Sequence, residues 1–222
     1  MDKVLNLSFD RSAAKYIEIV SKAYPAFVSD RLGKEFIMSS AIKPLNPDWQ
    51  ICGLAVTSKG PDLTVRRAAI DTMRQNDVLV VSAGGSSDWA SFGDGTAAKI
   101  HARGGQAAVI DGSTRDSRFL RKMNFPTFCI NTTARNYYYP HGMDNGAVNV
   151  GVVVGGVHVN PGDIIFGDQD GVVVIPKERA AEIANRIEKD LPSEIAERLS
   201  ITPNFLNNVK DLLIEKGYRI NE

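Results

Sequence analysis

Cysteine is scarce in this chain: Cys52 and Cys129 are the only two among 222 residues, far apart and outside any C-x-x-C spacing. That excludes a disulfide scaffold or a cysteine-ligated structural zinc and fits a reducing, cytoplasmic setting. Histidine is equally sparse, and His101, His141 and His158 form no i, i+4 pair of the kind that holds a catalytic zinc. Net charge is absent, with 26 Lys and Arg against 26 Asp and Glu, so no overall field draws the protein to nucleic acid or to an anionic membrane, and neither is expected as a partner. Long apolar runs are missing too. The most apolar stretch, Ala147 to Val159, is rich in Gly and Val and too short to span a bilayer. The first eleven residues mix charges without a continuous apolar segment, so no signal peptide is expected. There is no internal repeat.

What is present is a chain with 43% apolar residues, enough to fill the core of one large domain spanning 1–222, with a helical C-terminal arm over about 190–222. Helical spacing of Ala13, Tyr16, Ile17 and Val20 predicts an N-terminal helix, Pro25 interrupts it, and Ala26 to Leu32 forms a further turn closed by Gly33. From Ile51 onward, apolar strands alternate with helices. The predicted strands are Ile51 to Thr57, Asp77 to Ser82, Gln106 to Ile110 and Pro126 to Ile130. The predicted helices are Asp62 to Gln75, with Asp62 as N-cap, then about Asp94 to Arg103 and Ser117 to Met123. This alternation predicts an α/β domain with parallel pairing. After an irregular stretch, Asn131 to Gly146, come short strands: Ala147 to Val154, Val157 to Val159, Ile164 to Phe166 and Val172 to Ile175. They are separated by turns, so an antiparallel or mixed sheet is expected there. Pro176 opens a helix with Ala180, Ile183, Ala184 and Ile187 on one stripe, Pro192 starts another, and a last helix lies near Phe205 to Lys216.

Two glycine-rich turns carry the chemistry: Phe92-Gly93-Asp94-Gly95-Thr96-Ala97 and Val109-Ile110-Asp111-Gly112-Ser113-Thr114-Arg115-Asp116. Each has an ordinary alternative. Asp94 and Asp116 can be helix caps, and Arg115 a solvated surface charge. As a site, the helix start at Asp94 offers the amides of Gly95, Thr96 and Ala97 to a carboxylate. Arg115-Asp116 follows a strand at the end where open α/β sheets bind ligands. One or two carboxylates suit a hard divalent ion that keeps most of its shell for water and substrate, and a fixed guanidinium suits a developing enolate. The Gly84-Gly85-Ser86-Ser87 loop matches neither a dinucleotide fingerprint nor a P-loop. Tyr137-Tyr138-Tyr139-Pro140 reads as packing or a subunit contact.

Asp94, then twenty residues, then Arg115-Asp116 resembles the D-X20-R-D signature of the class II pyruvate aldolases acting on 4-hydroxy-4-methyl-2-oxoglutarate and 4-carboxy-4-hydroxy-2-oxoadipate. Gly53-Leu54-Ala55-Val56-Thr57, Asn160-Pro161-Gly162-Asp163 and Asp168-Gln169-Asp170-Gly171-Val172 extend the resemblance over most of the chain. The same family includes the regulators of ribonuclease E activity, which generally lack the complete acidic signature. The resemblance implies a swivelling β/β/α-type α-β-β-α sandwich with N-terminal helices and a C-terminal arm, assembled as homotrimers or homohexamers with sites at subunit boundaries. It implies Asp116 as the ligand of Mg²⁺ or Mn²⁺, Asp94 as an outer-sphere carboxylate orienting metal-bound water, and Arg115 on the keto oxygen. Backbone amides across Gly93, Asp94, Gly95 and Thr96 would hold the substrate carboxylate, and a glutamate from a neighbouring subunit, Glu194 by ungapped counting with Glu197 and Glu188 as alternatives, would complete the site. The implied reaction cleaves a 4-hydroxy-2-keto acid to pyruvate through a metal-stabilised enolate, with oxaloacetate decarboxylation as a side activity. Two departures fall where specificity is set: Leu63 stands near the family's usual amide, and Gly95-Thr96 replaces a bulky apolar pair. The alternatives are a non-catalytic, protein-binding regulator and a methyltransferase using S-adenosylmethionine, the latter resting on Gly84-Gly85 alone.

Overall fold

The run Val78-Leu79-Val80-Val81 shows how this chain builds its core. Every residue in it is buried, because successive side chains of a strand point to opposite faces and both faces are covered. In the computed structural model, which describes residues 3–60, 62–136, 146–201 and 209–220, Val78 and Val80 enter one apolar cluster while Leu79 and Val81 enter another.

The chain begins with a 3-10 turn, Ser12–Tyr16, running into α1 (Ile17–Val20) and then α2 (Pro25–Arg31), where Pro25 takes the first position that needs no N–H partner. After β1 (Lys43–Pro44) come β2 (Ile51–Lys59) and α3 (Leu63–Asp71). The Asp62 carboxylate caps α3, accepting from the Thr64 amide at 2.7 Å as expected. Next are β3 (Val78–Ser82), β4 (Ala90–Phe92), α4 (Asp94–Ala102), β5 (Ala107–Ile110), β6 (Ser113–Thr114), α5 (Ser117–Lys122), β7 (Thr127–Cys129) and β8 (Asn131–Thr132). The strand expected from Ala147 to Val154 is two strands, β9 (Ala147–Val148) and β10 (Val152–Val154). Between them Asn149 turns to φ 51°, and its side-chain amide donates to Asn6 O at 2.8 Å and Thr72 Oγ1 at 3.1 Å. A two-residue turn of left-handed glycines, Gly155-Gly156, joins β10 to β11 (Val157–Val159). Then come β12 (Ile164–Asp168), β13 (Gly171–Ile175), a 3-10 turn Lys177–Arg179 and α6 (Ala180–Leu199). Pro192 does not start a new helix but stands inside α6. Good helix formers on both sides carry the helix through the one hydrogen bond that Pro192 cannot donate. The last described element is α7 (Lys210–Glu215), and the start of the expected Phe205 helix lies outside the described residues.

Eight strands form one mixed sheet in the order β1-β7-β5-β3-β2-β12-β13, with β9 paired to β2. The expected parallel half is β2, β3, β5 and β7, and the expected antiparallel half is β12, β13 and β9, all joined through β2. Helices α3, α4 and α5 cover one face, contributing Ala69, Ile70, Ala97, Ile100 and Leu120. Valines of the β10–β11 hairpin cover the other. A small parallel sheet, β4-β6-β8, is separate. By contacts the chain divides into one unit ending at Ile187 and a second beginning at Glu188. Among the described residues no helix is long and apolar enough to cross a membrane.

Candidate functional site

The small sheet explains why Asp94 and Asp116 meet. The chain leaves the carboxyl ends of β3 and β5 and enters β4 and β6, which pair in parallel with Phe92 opposite Thr114. Two residues beyond that pair, on each strand, stand Asp94 and Asp116. The Arg115 amide and the Thr114 hydroxyl both donate to Phe92 O, at 3.0 and 3.1 Å, and fix the register where the strands end. The twenty-residue spacing in the sequence is therefore the length of chain needed to form α4, return along β5 and come back into register.

Neither carboxylate is a cap. Gly93 is the N-cap of α4 and Asp94 its first helical residue, and no side chain caps that end. Asp116 occupies the N-cap position of α5 but makes no capping hydrogen bond. Its backbone is left-handed, φ 59° and ψ 29°, a conformation that costs a non-glycine residue on the order of 1 kcal/mol and that collects at functional sites. Arg115 Nε lies 3.1 Å from Asp116 Oδ2, with both side chains partly exposed. The carboxylate rests against bare backbone, since a Cβ on Gly93 would stand 2.7 Å from Asp116 Oδ2. Of the amides expected to be open at the helix start, those of Thr96 and Ala97 both donate to Gly93 O at 3.1 Å. The amides of Asp94 and Gly95 precede the helix's own hydrogen-bond ladder and are the ones left for a ligand.

Asp94, Arg115 and Asp116 line one cleft of about 210 Å³, with Gly93, Gly95 and Thr96 in its wall. Sequence reasoning missed several neighbours. Lys99 lines the cleft and donates to Gly95 O at 2.8 Å; its i+4 spacing from Gly95 was the available signal. Leu63, already marked in the sequence as a departure where specificity is set, is 48% exposed and forms part of the wall. Arg66, fully buried, donates from its two terminal nitrogens to Ser91 O and Gly60 O, tying α3 to β4. Nothing in the periodicity marked it as anything but an exposed helical arginine.

Other expected residues fall elsewhere. Glu194 lies on α6 in the second unit, where Arg198 donates to it at 2.7 Å, and Glu188 and Glu197 are exposed. The Gly84-Gly85 loop is turned onto Asp111, whose buried carboxylate accepts from the amides of Ala83, Gly84 and Gly85. Those amides are thereby engaged. Burial pushes Asp111 up to about 6 against the lowering effect of these bonds. His101 and His158 are exposed on α4 and β11. Tyr137, Tyr138, Tyr139, Pro140 and His141 lie outside the described residues.

Among the described residues no three His, Cys, Asp or Glu side chains gather to cage an ion. Asp116 and Asp94 instead offer uncapped carboxylate oxygens in an open cleft. That donor set fits Mg²⁺ or Mn²⁺ held by one or two protein oxygens, with water and ligand completing the shell.

The acidic pair of this α/β protein lies in a cleft reached from the carboxyl ends of parallel strands, the place where open α/β sheets bind their ligands. More narrowly, the chain belongs to the RraA-like family, whose model, described as Aldolase/RraA, matches residues 25–174. A protein of Halalkalibacterium halodurans named "Putative 4-hydroxy-4-methyl-2-oxoglutarate aldolase" is 34% identical over 182 residues, covering 81% of this chain and 85% of its own. The crystal structure of Streptomyces coelicolor RraAS2, described as an unusual member of the RNase ES inhibitor RraA protein family, matches with a TM-score of 0.75 at 26% identity, covering 84% of this chain and 98% of that one. A Geobacillus kaustophilus structure described as an S-adenosylmethionine:2-dimethylmenaquinone methyltransferase matches at 0.61 and 28% identity, covering 69% and 94%. The mixed α/β fold is the one these RraA proteins share.

Proposed function

We propose that this protein is a divalent-metal-dependent aldolase that cleaves a 4-hydroxy-2-keto acid of the 4-hydroxy-4-methyl-2-oxoglutarate type to pyruvate. The observation that carries the reading is the β4–β6 register, which brings Asp94 and Arg115-Asp116 into one cleft with neither carboxylate spent on a cap. The relatives named as aldolases support it.

Asp116, with Asp94 behind it, would hold Mg²⁺ or Mn²⁺. When bound, the ion polarises the 2-keto oxygen and offsets negative charge on it. The amides of Asp94 and Gly95 hold the adjacent carboxylate at the positive end of α4. Arg115 donates to the keto oxygen, and its fixed charge stabilises the enolate left when the C3–C4 bond breaks. Asp94 lies on the same cleft and is placed to accept, directly or through water, the proton leaving the C4 hydroxyl. Returning a proton to C3 releases pyruvate, and oxaloacetate decarboxylation passes through the same enolate. Glu194 from a neighbouring subunit of a homotrimer or homohexamer completes the proposed site, and light scattering after gel filtration tests that assembly.

The test of function is pyruvate release with Mg²⁺ or Mn²⁺ from 4-hydroxy-4-methyl-2-oxoglutarate, 4-carboxy-4-hydroxy-2-oxoadipate and oxaloacetate. Release is expected from at least one and is abolished by Asp116→Ala. Metal-independent release, or none from any of the three, overturns the proposal. The likeness to RraAS2 favours a second reading, a non-catalytic regulator that binds a ribonuclease. That reading predicts no turnover with any keto acid and binding that survives Asp116→Ala.

A further inference from the structure

Charge is unevenly placed in the cleft. Asp94, Arg115 and Asp116 gather at one end, where Arg115 and Asp116 are paired. Lys99 stands one turn further along α4. Its ammonium folds back to donate to Gly95 O at 2.8 Å, so the charge is held over the first turn of the helix. Among the described residues no carboxylate lies within 4.0 Å of that ammonium.

The surroundings match this imbalance. Lys99 and Thr96 are shared with a smaller adjoining hollow of about 50 Å³, which Arg66 and Arg67 also line. Leu63 belongs to both walls and supplies apolar surface. A ligand carboxylate reaching this end would replace a neutral carbonyl acceptor of Lys99 with an ionised one, which makes a shorter and stronger hydrogen bond. An alkyl end would gain only contact with Leu63 and would leave the ammonium as it is.

Building on the reading that the Arg115-Asp116 end takes the keto acid, we propose that Lys99 is the specificity-determining residue of this cleft. It selects 2-keto acids that carry a second carboxylate at the far end over those that end in an alkyl group.

Binding of 2-oxoglutarate and 2-oxopentanoate, measured by calorimetry with Mg²⁺ present, tests this directly, because the two share a five-carbon chain and differ only in the terminal carboxylate or methyl. The wild-type protein should prefer 2-oxoglutarate by roughly tenfold or more, the scale of one hydrogen bond to a charged group. In Lys99→Gln the preference should fall to near one, and Lys99→Arg should restore most of it. Lys99 is exposed, and a thermal melt of each variant checks that the fold is retained. A wild-type ratio near one, or a ratio unchanged in Lys99→Gln, overturns the assignment. The aldolase reading is scored separately by Mg²⁺-dependent exchange of the pyruvate methyl protons with D₂O in the wild-type protein. Pyruvate has no second carboxylate to reach Lys99. Exchange with a flat binding ratio removes the role of Lys99 alone, whereas a steep ratio without exchange removes the aldolase reading and keeps Lys99 as the selector.

Discussion

Gly93→Ala places a methyl group where the Asp116 carboxylate now lies. A Cβ built on Gly93 stands 2.7 Å from Asp116 Oδ2 and 3.1 Å from Arg115 Cγ, against ordinary contact beginning at 3.4 Å. The carboxylate must therefore retreat by about 0.7 Å, the difference between 3.4 and 2.7 Å, and that movement disturbs its 3.1 Å contact with Arg115 Nε, which would itself stand 3.5 Å from the new methyl. The backbone offers no objection, since Gly93 is extended, with φ −172° and ψ −175°. Stability should thus change little, the clash being offset by the roughly 0.4–1 kcal/mol that a Gly-to-Ala change gains through the unfolded chain. Activity should not be so tolerant, because a misplacement of about 1 Å costs on the order of 100-fold in rate. We expect kcat/KM for pyruvate release, followed through lactate dehydrogenase, to fall roughly 10- to 100-fold. Mn²⁺ affinity by electron paramagnetic resonance should weaken in parallel, with Tm nearly unchanged. Activity within twofold of wild type would refute the contact, and a loss that tracked unfolding would refute the claim that it acts on the site.

The other glycine beside Asp94 supplies the contrast: a Cβ at Gly95 meets nothing within 4 Å, so Gly95→Ala should raise the unfolding free energy in urea by up to about 1 kcal/mol. Arg115→Lys should lower kcat/KM by roughly 100-fold or more, because one flexible ammonium cannot hold both Asp116 and a keto oxygen as a planar guanidinium can; retention of more than a tenth of the activity would count against that role. Asp111 gives a pH prediction. Its folded value is raised to about 6 from 3.8, so its stabilising contribution is complete below pH 3.8 and is lost as pH rises through 6, amounting to about 3 kcal/mol. Asp163 is shifted in the same direction, so the wild-type slope contains both. The difference between wild type and Asp111→Asn in urea unfolding from pH 4 to 7 isolates Asp111, and parallel curves would show that it does not titrate in this window.

Much of the fold was legible because local signals agreed with the tertiary solution. Asp62 before an apolar-periodic segment is a cap, and continuous apolar runs such as Val78 to Val81 are strands buried on both faces. The misreadings arose where distant groups decide. Asn149 breaks a strand because Asn6 and Thr72 engage its side chain, and no local propensity reports that. Pro192 looked like a helix start by rule, yet the residues around it continue the helix. At the site, the acidic spacing could be read, whereas the bare face of Gly93 and the loss of the Thr96 and Ala97 amides to Gly93 O could not. Those depend on how two turns face one another.

The convergence of the two carboxylates rests on very few interactions, because β6 is only two residues long. A slip of one residue along so short a strand would turn its side chains to the opposite face and carry Arg115 and Asp116 out of step with Asp94. The register is held by polar side chains in positions where an apolar core strand would carry valine. Ser113 and Thr114 are both fully buried. Ser113 Oγ donates to Ser87 O at 2.6 Å, its amide donates to Ser86 O at 3.1 Å, and Thr114 Oγ1 donates to Phe92 O at 3.1 Å. Buried hydroxyls are costly without partners, and a slip would lose the bonds to Ser87 O and Phe92 O, leaving Thr114 Oγ1 only the longer contact with Arg115 O at 3.3 Å. The same Ser113 bonds, together with Asp111 on Ala83, Gly84 and Gly85, secure the loop that leads into β4. The short polar segment between β5 and Arg115 therefore sets the position of both halves of the site, which accounts for its departure from the apolar pattern of the strand before it.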